Sequence, residues 1–204
     1  MLREETVEPG TLELLKKIIS IPELSEFRLV GGTALSLLLG HRKSIDLDLF
    51  TDKQYIKEIL EDHFFPVSVR ESPSKNIMQC NIQQVKVDFV SVRDPFIHPI
   101  EYIDHIPLAH IEDICALKLN AIKGRGSKKD FWDVAKLLQI YSLENLLKFY
   151  LKRYPYDDTF AVIRSLIYFE DAEDEADPMH IEKTTWQQVK QIIEKAFKEN
   201  YNQN

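Results

Sequence analysis

The chain has 204 residues, 44% of them hydrophobic, and a formal net charge of -7. That is ample for one large or two small cored domains, and it argues against a broadly basic nucleic-acid binder while leaving room for a local basic groove. No stretch approaches the roughly 20 apolar residues of a membrane span, and Met1-Leu2-Arg3-Glu4-Glu5 lacks the basic-then-apolar form of a signal peptide. A soluble, cytoplasmic protein with no membrane partner is therefore expected.

Leu12, Leu15, Ile18 and Ile19 recur at helical spacing before Pro22, which predicts an amphipathic N-terminal helix. A short apolar strand follows at Phe27 to Val30, then a Gly31-Gly32-Thr33 turn and an apolar helix from Ala34 to Leu39 closed by Gly40. The two glycines let the backbone turn sharply and approach a ligand closely. Thr33 stands where an N-cap is expected, and the free N–H groups and positive dipole end of the helix offer a phosphate site.

Ile45 to Phe50 alternates, so Ile45, Leu47 and Leu49 are expected in the core while Asp46 and Asp48 share the opposite face. Two carboxylates held side by side repel unless solvent or a cation neutralises them. Mg²⁺ suits them, being hard, oxygen-seeking and content with one or two protein carboxylates alongside substrate phosphates.

Asp52 is a good N-cap for a helix from Lys53 to about His63, which Pro66 ends. The period then changes to that of strands at Val67 to Arg70, Ile77 to Ile82 and Val85 to Val90, with a turn near Gln83. In the last of these Val85, Val87 and Phe89 share the core face, leaving Asp88 on the other as the best candidate for a third carboxylate. Cys80 and Cys115 lie in apolar patterns and read as buried free thiols. His98, His105 and His110 are too irregularly spaced to propose zinc.

From Ile106 onward the pattern reads as helical, placing a boundary near Pro107 between a mixed α/β half, 1–106, and a helical half, 107–204, that completes an active-site cleft. Ile111 to Gly124 is one helix and carries Lys118. Arg125 to Asp133 is a basic, glycine-containing turn feeding the next. Lys118, Lys123, Arg125, Lys128 and Lys129 form a basic cluster, and Lys129 and Asp133 are spaced to pair on a helix surface. Leu143 to Arg153, Thr159 to Phe169 and a last segment with Trp186, Val189, Ile193 and Phe197 on one face complete a bundle. The acidic run Glu170 to Asp177 reads first as a solvated loop, with occupation of a partner's basic surface as the sharper alternative.

A phosphate-binding turn followed by a paired-Asp strand resembles the nucleotidyltransferase superfamily. More closely, Gly31-Gly32-Thr33-Ala34-Leu35 with His41-Arg42-x-Ser44-x-Asp46-Leu47-Asp48-Leu49-Phe50 resembles the AbiEii/AbiGii toxin family. The resemblance implies an α+β fold, a nucleotidyltransferase-like mixed sheet with flanking helices followed by a helical C-terminal half. It implies a Mg-dependent enzyme, with a two-metal site, that moves a nucleoside monophosphate from an NTP to an acceptor hydroxyl on tRNA or another RNA. The setting would be a toxin–antitoxin or phage-defence system with a cognate antitoxin. Asp46, Asp48 and Asp88 are then the catalytic and metal-binding acids, with Asp88 as general base. Gly31, Gly32 and Thr33 would cradle the triphosphate, and Arg42 and Ser44 would support the site. Lys118, in an Ala-x-Lys context, would reach the phosphates, and Lys129, Asp130 and Asp133, in a Lys-Asp-x-x-Asp motif, would position nucleotide or acceptor. Asp130 could equally cap its helix or orient Lys118 or Arg125. An antibiotic-type small-molecule acceptor and a non-catalytic nucleotide-binding module are the alternatives.

Overall fold

The computed structural model describes residues 1–53, 68–69 and 76–201. The predicted helix from Lys53 to His63 lies outside the described residues apart from its first, as does most of the turn before Ile77. Two compact units divide at His110, Met1–His110 and Ile111–Asn204.

The first unit is built on a seven-stranded mixed sheet, counted among the described residues, in the order β3-β4-β5-β2-β1-β7-β6. The strands are β1 (Arg28–Val30), β2 (Leu47–Thr51), β3 (Ser68–Val69), β4 (Ile77–Ile82), β5 (Val85–Ser91), β6 (Glu101–Ile103) and β7 (Ile106–Leu108). Helices α1 (Pro9–Ile19) and α2 (Gly31–Leu39) accompany it. Three central strands decide where the chemistry sits. β2 runs antiparallel to β1, pairing Val30 with Asp48, and parallel to β5, pairing Asp48 with Asp88. Leu47, Leu49, Val87 and Phe89 are fully buried on the other face, joined by Leu29, Leu35 and Leu37. Phe27 meets Phe89 edge to face at 5.4 Å, one of the aromatic pairs that add to simple area burial.

Three expectations fail here. Helix α2 begins at Gly31, directly after extended Val30, so Thr33 is its buried third residue and not its N-cap. A glycine at φ +69° makes that abrupt entry without Cβ strain. Ile45 is 58% exposed, because β2 starts at Leu47 and alternation binds only residues held in a ladder. The helical half does not start at Ile106: β6 and β7 form a hairpin on Asp104 and His105, both in the left-handed region, and β7 pairs with β1 through Leu108 and Leu29. Three-residue strands are too short for a period to show. The turn at Gln83 and Gln84 is likewise a two-residue left-handed turn between β4 and β5.

The second unit is helical: α3 (Ile111–Gly124), α4 (Lys128–Leu137), α5 (Leu143–Arg153), α6 (Phe160–Leu166), α7 (Glu170–Glu173) and α8 (Trp186–Tyr201). Ser142 caps α5 by accepting from the Asn145 N–H. Leu119, Phe131, Val134, Leu146, Tyr150, Val162 and Val189 fill the core. Asp113 on α3 and Arg153 on α5 form a wholly buried ion pair at 2.8 Å. The acidic run is solvated as expected, with all its carboxylates exposed, but it is not a loop throughout. Its first four residues are α7, the Glu175 carboxylate accepts from the Lys128 N–H at the start of α4, and Glu173 holds Lys190 and the Trp186 indole N–H. The start of α4 attracts a carboxylate because its first N–H groups lack helical partners. Among the described residues no helix is long and apolar enough to cross a membrane.

Candidate active site

On the first unit, Asp48 stands between β1 and β5 with Asp88 as its neighbour across a parallel pair, strands about 4.8 Å apart. Asp88 is half-buried. Its Oδ2 takes a hydrogen bond from Gln79 Nε2 at 3.2 Å and lies 3.0 Å from Lys86 Nζ. Its Oδ1 is buried and has no hydrogen-bond partner among the described residues. A buried carboxylate oxygen left unsatisfied beside a second carboxylate is costly. A cation beside the pair offsets that cost, and Lys86 supplies one at Oδ2.

The glycine turn is fitted to Asp48 and Arg42. A Cβ placed on Gly31 would lie 2.1 Å from Asp48 Oδ2, and one on Gly32 would lie 2.2 Å from Arg42 Nη2. Gly31 therefore lets the start of α2 close on the Asp48 carboxylate, and Gly32 lets the Arg42 guanidinium lie over it. Arg42 is buried, and its Nη1 donates to the Lys43 carbonyl at 3.0 Å. Thr33 and Ser44 share a hydrogen bond at 2.9 Å, and the Thr33 hydroxyl donates to the Asp46 carbonyl. A hydroxyl has one proton, so Ser44 is the donor between the two. This pins the backbone of half-buried Asp46 to the first turn of α2. Eight predicted residues, Gly31, Gly32, Thr33, Arg42, Ser44, Asp46, Asp48 and Asp88, thus sit on adjoining parts of one unit.

On the second unit, Lys118 is buried in α3 and held between two buried carboxylates, Asp130 Oδ1 at 2.9 Å and Asp133 Oδ2 at 2.6 Å. Asp130 Oδ2 also accepts from Ser127 Oγ at 2.7 Å and Arg125 Nε at 3.1 Å. Burial alone pushes the Asp130 carboxyl up, but the charges of Lys118 and Arg125 and the hydrogen bonds from Arg125 and Ser127 outweigh it and hold it at about 2. Asp130 thus orients Lys118 and Arg125 together, two of the roles left open by its spacing. Lys129 is half-buried on α4. The expected basic cluster is largely neutralised in place. Lys118 and Arg125 are paired as described, Lys123 pairs with Asp157, and Lys128 faces Asp177 at 3.3 Å and donates to the Glu173 carbonyl.

A family model described as the nucleotidyl transferase AbiEii toxin of type IV toxin–antitoxin systems matches residues 13–203. The chain belongs to the AbiEii toxin family. An uncharacterised protein of Aquifex aeolicus (strain VF5) is 32% identical to it over 195 residues, 92% of this chain and 94% of that one. Among solved structures, the nucleotidyltransferase toxin MenT4 of Mycobacterium tuberculosis H37Rv matches with a TM-score of 0.65 at 14% identity, covering 92% of this chain and 80% of that one. JHP933 of Helicobacter pylori matches with a TM-score of 0.53 at 19% identity, covering 97% and 96%. At these identities the likeness to both is one of fold. Membership of the nucleotidyl transferase AbiEii family makes the protein a nucleotidyltransferase, and its fold is α+β.

The family's motif residues carry partners that the motif does not announce. Lys86 lies two residues before Asp88 on the same strand face, so strand period could have found it. Gln79 comes from the neighbouring strand and Arg125 from a turn, and neither leaves a local signal. His98 and His110, unconnected in sequence, meet with ring centroids 4.0 Å apart and planes tilted by 37°.

Proposed function

We propose that this AbiEii protein transfers a nucleoside monophosphate from an NTP to a hydroxyl of RNA, with a tRNA end as acceptor, and releases pyrophosphate. The observation that carries the reading is the paired Asp48 and Asp88, one of them with an orphaned buried oxygen, closed over by a glycine turn with no room for a Cβ. The donor set is all carboxylate oxygen, which fits Mg²⁺. Asp46, Asp48 and Asp88 would hold it, and when bound it supplies neutralisation of phosphate charge at the attacking and leaving oxygens. Asp88 accepts the proton of the acceptor hydroxyl. The hydroxyl oxygen forms its bond to the α-phosphorus as the bond to the pyrophosphate oxygen breaks. Gly31, Gly32 and Thr33 present the first turn of α2 to the triphosphate, with Arg42 beside them. Thr33 and Ser44 fix Asp46. Lys118, already neutralised between the buried carboxylates of Asp130 and Asp133, orders its own unit.

The setting proposed is the cytoplasm, where RNA modification by the toxin arrests growth, in phage defence among other circumstances, and a cognate antitoxin relieves it. The acidic net charge of -7 favours a second reading, a small-molecule hydroxyl as acceptor. The test is incubation of the purified protein with Mg²⁺, each α-labelled NTP and total bacterial tRNA, beside Asp46→Ala and Asp48→Ala. Label in RNA that requires both aspartates, and that fades steeply with salt, supports the RNA reading. Absence of label in RNA with intact NTP binding moves the assignment to the small-molecule acceptor.

A further inference from the structure

The second unit exposes a row of large side chains that the transfer chemistry does not use. Phe160 and Arg164 are one turn apart on the same face of α6, and Tyr168 continues the row just past its C-terminus. Phe160 is 72% exposed and Tyr168 48%. With Ala161 and Ser165 they line a groove of about 350 Å³. Isolated exposed apolar residues are ordinary on a protein surface, whereas a contiguous row lining a concavity marks an interaction site.

Charge says what kind of partner it takes. Residues 156–177 hold eight carboxylates and one cation, Arg164, and with Asp157, Asp177 and Glu173 paired to Lys123, Lys128 and Lys190 a local surplus of four negative charges remains. Both ends of the row are acidic. Asp158 caps Phe160 at one end, accepting from its N–H at 2.8 Å. At the other, Tyr168 donates to Glu170 at 3.2 Å, and Asp171 is close enough to act on the same phenol. Such a field repels a polyanion and attracts a cation.

We infer that the Phe160–Arg164–Tyr168 groove docks a lysine- or arginine-rich amphipathic segment of a second protein. Its apolar side chains enter the groove and its cationic ends meet Asp158 and the Glu170–Asp171 pair. Helix-in-groove recognition of this kind takes its affinity from apolar anchors, and charge sets its on-rate and its choice of partner. The inference is independent of the transfer reaction.

The test uses the full-length protein and a fluorescein-labelled 16-residue helical peptide, with leucines at i, i+3, i+4 and i+7 between lysine-rich ends. A scrambled peptide of the same composition and a labelled oligouridine serve as comparisons, all read by anisotropy. The amphipathic peptide should bind at least tenfold more tightly than the scrambled one. Phe160→Ser/Tyr168→Ser should lose at least tenfold with an unchanged circular dichroism spectrum, since both side chains lie on the surface. Glu170→Gln/Asp171→Asn should weaken binding and flatten its salt dependence. Equal affinity for the scrambled peptide, or wild-type affinity in the Phe160/Tyr168 variant, overturns the proposal. Oligouridine binding that is lost in that variant overturns it in favour of RNA.

Discussion

Gly31→Ala probes the central geometry with a single methyl group. The added Cβ would stand 2.1 Å from Asp48 Oδ2, so that oxygen has to retreat by about 1.3 Å to reach the 3.4 Å of ordinary contact. The residue also keeps φ +69°, where a side chain costs about 1–2 kcal/mol. For a chain of this length that strain lowers Tm by about 2–8 °C. A misplacement of roughly 1 Å at reacting groups costs about 10²-fold in rate, so transfer should fall far more than stability does. Gly124→Ala is the matched control, because an added Cβ there meets nothing within 4 Å. It should leave activity unchanged and Tm equal or higher, since alanine suits a helix better. The assays are calorimetric melting and single-turnover transfer of labelled nucleotide. Gly31→Ala with wild-type transfer would refute the assignment of Gly31 and Asp48 to one closely fitted site.

Asp88→Asn should abolish transfer and weaken Mn²⁺ binding by electron paramagnetic resonance. Its Tm should change little, because the change removes a charge beside Asp48 and at the same time the half-buried ion pair with Lys86; a collapse of the melting transition would show the residue to be structural. Asp130, held at about 2 against 3.8 in an unfolded chain, contributes about 2 kcal/mol. Since its folded value is depressed, that stability is fully present above pH 4 and is lost as pH falls towards 2. Carboxyl ¹³C shifts should titrate with a midpoint near 2, and a midpoint near 4 would contradict the pairing with Lys118 and Arg125. Burial pushes the thiols of Cys80 and Cys115 up to about 12. Neither should react with a disulfide reagent at pH 8 until denaturant is added, and rapid modification of the native protein would contradict their burial.

The sequence by itself determined the elements whose cause is local. Glycines that enter and close α2, alternation through Leu47, Asp48 and Leu49, and the same alternation around Asp88 can be read directly because period 2 and positive φ belong to neighbouring residues. Motif spacing then named the family. Where sequence reasoning erred, a long-range partner overrode a local preference. Thr33 gave its hydroxyl to the Asp46 carbonyl and not to a cap, and Ile106 to Leu108 became a strand by pairing with β1. Only the tertiary structure decided that Asp48 and Asp88 are direct neighbours, that one Asp88 oxygen is orphaned, and that Lys118 is locked between Asp130 and Asp133. These facts depend on sheet register and helix packing, which join residues 12 to 40 positions apart, and no local pattern records which of many carboxylates will meet.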